Sequence, residues 1–186
     1  MERPILFSGP MVKAILDGRK TMTRRVVKGK TALEWLEPGV FSPSFVGNPE
    51  NGLCPYGKPG DLLWVRETFA APFQHLDCEE GKTVFYRADG AQQDDGQWSP
   101  SIFMPRWASR ITLEVAGVRV ERLQEITDAD ALAEGVNTQG PYFVEDYEKQ
   151  QSYTVAQFAA LWDSINGKTY PWDSNPWVWV IEFTKN

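Results

Sequence analysis

Residues 108–123 read ASRITLEVAGVRVERL. Ile111, Leu113 and Val115 alternate with Thr112 and Glu114, and Val118 and Val120 resume the apolar pattern beyond Gly117. A period of two puts successive side chains on opposite faces of a strand, so the segment predicts either two strands or one strand bulged near the glycine. Similar patterns flank it. Downstream, PWVWVIEF (176–183) sets Trp177, Trp179, Ile181 and Phe183 against Val178, Val180 and Glu182, a terminal strand whose tryptophans are read as core. Upstream, DLLWVRETF (61–69) sets Leu63, Val65 and Phe69 against Trp64 and Arg66. Glu67 falls on the mostly apolar face, where a carboxylate needs an Arg or Lys partner or belongs to a cavity. TVFYRAD (83–89) predicts one more strand.

Helices are fewer and short. ILFSGPMVKAILDGRK (5–20) opens as a strand, turns at Gly9-Pro10, and continues with Met11, Val12, Ile15 and Leu16 on one helical face. Gly18 closes that helix, and Lys20 to Arg25 leave it extended, with Thr21, Thr23 and Arg25 on one face. ITDADALAEGV (126–136) has a cap at Thr127, acids in its first turn and Gly135 at its end. YTVAQFAALWDSING (153–167) places Phe158, Leu161, Trp162 and Ile165 on one stripe. Residues 36–60 are punctuated throughout by Pro and Gly and read as a wrapping loop. Strands that helices do not regularly separate predict an α+β fold, a small mixed or closed barrel rather than a doubly wound sheet.

A chain of 186 residues with 42% hydrophobic and 24% charged residues suits one domain, here 1–186, and its eight Trp need a core or a ligand. The formal charge of −6 argues against a broad polyanion binder, yet residues 1–30 carry eight Lys and Arg against Glu2 and Asp17. That segment is therefore +6 and the remainder −12, so the positive field is local. No apolar run approaches the roughly 20 residues of a membrane helix, and MERPILFSGP lacks the marks of a signal peptide, so a cytoplasmic, non-membrane protein is expected. Cys54 and Cys78 are expected as free thiols. With His75 they lack paired ligand spacing, and neither a metal nor a cofactor is expected.

The basic segment centres on GRKTMTRR, Gly18 to Arg25. Its Gly18, Lys20, Thr23 and Arg25 resemble the signature of the ASCH domain family, within the PUA-like superfamily, with Thr23 where the commoner signature has Glu. That variant is similar to the motif of bacterial ASCH proteins that act as N4-acetylcytidine amidohydrolases. PYGKPGDLLWVRETF and the run from Met104 to Val136 look like longer phage and prophage ASCH proteins. The resemblance implies a small PUA-like β-barrel with short peripheral helices, extended by additions at about 72–104 and 137–170. It also implies Lys20 as base, Thr23 as nucleophile and Glu134, seven residues after Thr127, as the remote partner.

A threonine hydroxyl attacks an amide only if a base takes its proton, and a lysine serves only when neutral. Arg19, Arg24 and Arg25 beside Lys20, together with burial, push its pKa in that direction. Glu134 would orient Lys20 or protonate the leaving nitrogen; equally, it would pair with Lys20 and keep it charged. An aromatic face with Arg or Glu on the polar edge is the usual receptor for a splayed base. Arg25, Trp64, Arg66, Glu67, Arg106 and Trp107 are the candidates. The leading expectation is hydrolysis of a modified nucleobase or nucleoside. The alternatives are a non-catalytic module for RNA, DNA or a modified base, and a ribonuclease; the acidic total favours a small ligand or short single strand.

Overall fold

The computed structural model describes residues 1–70, 84–90, 98–136 and 152–186. It is an α+β fold. Five strands form one sheet: β1 (Glu2–Leu6), β2 (Met22–Val26), β3 (Leu62–Arg66), β6 (Thr112–Arg122) and β7 (Trp177–Lys185), in the order β1-β3-β6-β7-β2. The β1–β3 pair is parallel, and the other three pairs are antiparallel. A two-stranded ribbon, β4 (Phe69–Ala70) with β5 (Phe85–Tyr86), continues from β3. The helices are α1 (Gly9–Leu16), α2 (Lys30–Leu36), α3 (Pro43–Val46), α4 (Asp128–Ala133) and α5 (Tyr153–Asn166).

The segment forms one strand, Thr112–Arg122, whose register against β7 shifts between Val115 and Gly117. A bulge there lets the apolar alternation change parity without leaving the ladder. β7 is an interior strand between β6 and β2 and is buried on both faces. Trp179, Ile181 and Phe183 join Ile5, Phe7, Ile15, Leu63, Val65, Leu113 and Val115 in one cluster. Val178 and Val180 join Met22, Leu123, Val155, Phe158 and Trp162 in the other. Each large apolar side chain buried this way contributes roughly 1.5–3 kcal/mol. Trp177 is only partly buried, its ring lying 4.1 Å from the Arg122 guanidinium carbon.

Three local expectations change. The Pro- and Gly-rich stretch is not purely loop: α3 starts with Pro43 in its first turn behind the Ser42 cap, because a proline lacks only an N–H that the first turn leaves unpaired anyway. Of the strand expected at 83–89, residue 83 lies outside the described residues, and the rest holds a strand only at Phe85–Tyr86, with a 3-10 turn at Arg87–Asp89. On α5, Phe158 and Trp162 are buried but Ile165 is 52% exposed, so the stripe fades towards the helix end.

Among the described residues no backbone ladder joins the edge strands β1 and β2. A side chain links them instead: Arg25 donates to the Leu6 carbonyl at 2.6 Å. No helix among the described residues is long and apolar enough to cross a membrane.

Candidate functional site

Two glycines set the motif's position. α1 ends at Asp17, and Gly18 takes φ +73, a left-handed conformation that costs glycine little. The chain reverses, with Arg19 and Lys20 N–H groups both donating to the Ala14 carbonyl, and Lys20 forms an isolated backbone bridge with Glu134. α4 delivers that glutamate. Its Thr127 cap accepts from the Asp130 N–H, and Gly135 ends it at φ +84. A Cβ on Gly135 would lie 2.9 Å from Ala14 Cβ and 3.0 Å from Lys20 Cβ, so only glycine lets α4 close on the motif.

The Lys20 side chain is fully buried and its three donors are all used: the Glu134 carboxylate at 2.6 Å, the Glu134 carbonyl at 2.9 Å and the Met22 carbonyl at 2.7 Å. Burial pulls its pKa below the ordinary lysine value, against the opposing pull of Glu134. Arg24, also fully buried, pairs with Glu121, with Asp130 at 2.9 Å and, at 3.5 Å, with Glu134. Arg119 extends the network to Glu121, Asp130 and Glu182. Burial raises the Asp130 pKa, but Arg24 and Arg119 outweigh it and hold the carboxyl below its usual range.

Strand alternation sends Thr23 and Arg25 to the opposite face from Met22 and Arg24. Thr23 is buried, and no hydrogen bond joins its hydroxyl to Lys20. The Phe7 ring lies between two cations, 5.6 Å from Lys20 Nζ and 5.1 Å from the Arg25 guanidinium carbon. Lys20 and Glu134, expected together, do meet; the hydrogen bonds of the Lys20 amine go to Glu134 and Met22, not to Thr23.

A cavity of about 560 Å3 opens against β2. Its walls include Arg24, Arg25, Lys28, Tyr56, Trp162 and Tyr170. Trp162 donates from Nε1 to the Tyr170 main-chain carbonyl at 2.8 Å, which orients the indole. β2 is an edge strand with β7 on one side only. Phe183 donates to the Thr21 carbonyl and Val27 to the Trp177 carbonyl, so odd-numbered residues face β7. Antiparallel alternation then turns the main-chain N–H and C=O of Arg24 and Val26 to the free edge, where the cavity lies.

The other candidates sit elsewhere. Trp64 is flanked by the Arg66 and Arg106 guanidinium carbons at 4.6 and 5.9 Å, Arg66 donates to the Ile102 carbonyl, and Arg106 pairs with Glu2. Trp107 nearby in sequence is half exposed. Glu67 finds the arginine its position demanded: Arg110 grips both its oxygens at 2.9 and 3.1 Å, and also pairs with Asp89. Burial raises the Glu67 pKa against that pairing. None of Trp64, Arg66, Glu67, Arg106 or Trp107 lines the cavity.

Two solved structures resemble this one. An ASCH domain from Lactobacillus crispatus aligns with 10% identity over 99% of this chain and 79% of its own, at a TM-score of 0.43. The hypothetical protein PH0355 aligns with 11% identity over the whole of both chains, at 0.39. No family model matches the chain, and no curated protein matches it significantly.

Sequence reasoning missed Lys28, Tyr56, Trp162 and Tyr170 as wall residues. The available signal was Tyr56 in a Pro- and Gly-rich loop, where an aromatic has no regular element to pack with. Cys54, in the same loop, is buried, and burial pushes its thiol up to about 11. His75 and Cys78 lie outside the described residues. Among the described residues no group of three or more His, Cys, Asp or Glu is arranged to hold a metal ion.

Proposed function

We propose that this protein is an ASCH-type, PUA-like binding module of one domain that holds a modified nucleobase, alone or within a nucleoside or short single strand, in the cavity against β2. The observation that carries this reading is the wall itself: three aromatic side chains and three cationic residues around about 560 Å3. That size lies within the range of about 300–1,000 Å3 usual for small-molecule sites. Aromatic faces stack a base, and the N–H and C=O groups of Arg24 and Val26, which point away from β7, suit its polar edge. In this reading Lys20, Arg24 and Glu134 are the frame that holds β2 at the cavity, and the additions expected at about 72–104 and 137–170 include α5, which supplies Trp162.

Hydrolysis of an N4-acetylcytidine-type amide is the second reading, favoured by the 2.6 Å contact between Lys20 and Glu134. With three acceptors on its ammonium, Lys20 has no lone pair to offer. It becomes a base only after passing a proton to Glu134, a step that burial of the pair makes less costly. Lys20 would then take the hydroxyl proton as Thr23 attacks the acetyl carbonyl, the protonated Glu134 would give its proton to the departing N4 amine of cytidine, and water would release acetate from the acyl-threonine.

Titration calorimetry with N4-acetylcytidine, alongside an assay for released acetate, separates the two. Binding without turnover, weakened by Tyr56→Ala, supports the module. Turnover lost in Lys20→Ala and Thr23→Ala supports the hydrolase. Neither binding nor turnover rejects both.

A further inference from the structure

Building on the cavity as a nucleobase site, we infer that its ligand is anionic, a nucleotide whose phosphate is held by Arg25 and Lys28, rather than a neutral nucleoside. The wall carries Arg24, Arg25 and Lys28 but no Asp or Glu among its described residues, in a chain whose net charge is −6. Arg24 is already answered by Glu121 and Asp130. Arg25 is not. Its guanidinium donates to the neutral Leu6 carbonyl and lies over the neutral Phe7 ring. Its Nε is buried and has no acceptor among the described residues. Burial lowers its pKa, and Tyr56 and the Glu134 carboxylate offset that only in part. Lys28 is exposed at the rim with its ammonium 5.9 Å from the Tyr170 ring, and among the described residues it forms no ion pair.

A desolvated guanidinium without a carboxylate is costly, and a ligand that brings the counter-charge removes that cost. A phosphate suits it, because the planar guanidinium fork matches two phosphate oxygens and a lysine adds a point charge. An inorganic anion would leave Tyr56, Trp162 and Tyr170 without a role, and a neutral nucleoside would leave the two cations without one. A base joined to a phosphate uses both. That chemistry is shared by a free mononucleotide and by one residue of a single-stranded oligonucleotide.

The test is titration calorimetry on the full chain with N4-acetylcytidine, its 5′-monophosphate, inorganic phosphate and a short single-stranded RNA carrying the same base. The monophosphate is expected to bind about tenfold or more tighter than the nucleoside, the worth of a charge-assisted contact. That advantage shrinks in added salt and in both Arg25→Gln and Lys28→Gln. Lys28 is at the exposed rim, so its variant reports on the phosphate even if Arg25→Gln loosens the β1–β2 link. RNA tighter than the monophosphate identifies the strand as the source; comparable affinity identifies the free nucleotide; both support the inference. Equal affinity for nucleoside and monophosphate, or an advantage that survives both substitutions, overturns the anionic ligand while leaving the nucleobase site intact. Inorganic phosphate binding as tightly as the monophosphate overturns it too. If none of the four binds, the nucleobase site itself falls, and this inference with it.

Discussion

Replacing Glu134 with Gln removes one charge and almost no volume, so it reports chiefly what the carboxylate does for the buried Lys20, with a smaller part from Arg24 at 3.5 Å. In the folded protein the lysine side chain is 0% exposed and Glu134 is 4% exposed, and they meet at 2.6 Å. Removing one partner of a buried pair costs about 3–5 kcal/mol, because the other charge is stranded. A glutamine carbonyl still accepts one hydrogen bond, which places the loss near the lower end. There is also a ceiling. A stranded lysine can shed its proton, and with an unfolded pKa of about 10.4 this costs at most roughly 4.6 kcal/mol at pH 7. The expected loss is therefore about 3–4.5 kcal/mol. With a urea dependence of about 2 kcal/mol per molar, the unfolding midpoint falls by roughly 1.5–2 M.

The sign of the pH dependence makes the test specific to charge. Burial lowers the folded pKa of Lys20 beneath the unfolded value. Between those two values the unfolded chain binds more protons, so stability attributable to Lys20 rises with pH across that window. Without Glu134 the folded pKa drops further, and the deficit of Glu134→Gln narrows as pH rises towards 10. The double variant Lys20→Met with Glu134→Leu removes both charges and is expected to recover most of the loss. A midpoint shift under about 0.5 M, or a double variant whose loss is the sum of its single changes, would refute the reasoning.

Other outcomes follow from the same geometry. Gly135→Ala must take a left-handed conformation and set its Cβ 2.9 Å from Ala14, so a loss of about 2 kcal/mol or more is expected in thermal or urea unfolding. In acid, Asp130 contributes stability that is present above its unfolded pKa of about 3.9 and is lost as pH falls through its lower folded value. Asp130→Asn should be less stable at neutral pH and lose less on acidification below about pH 4, as followed by circular dichroism. Cys54, with its thiol pushed up to about 11, should react with iodoacetamide at pH 8 at least about a hundredfold more slowly in the folded chain than in urea, as read by peptide mapping.

Much of the sheet was legible because period-two alternation survives where one face is buried, as along Ile111–Val115, while a strand buried on both faces, such as Trp177–Phe183, shows as a nearly continuous apolar run. The glycines were equally readable, since both Gly18 and Gly135 adopt the left-handed conformation that ends their helices. Spacing alone did not pair Lys20 with Glu134. They are 114 residues apart, and the family resemblance suggested the partnership. Glu67 shows the limit more sharply. Its burial announced the need for a cation, yet nothing local pointed to Arg110, 43 residues away. The cavity was hidden for a different reason: at helical spacing, an aromatic that walls a cavity looks like one that fills a core. Trp162 does both, packing against Phe158 and facing the space beside Tyr170.

The most direct test is a crystal structure with N4-acetylcytidine bound. A nucleobase site predicts the ring in the cavity among Tyr56, Trp162 and Tyr170, its polar edge against the main chain of Arg24 and Val26. A ring bound instead on the Trp64 and Arg66 surface, or a cavity empty at saturating ligand, would contradict it.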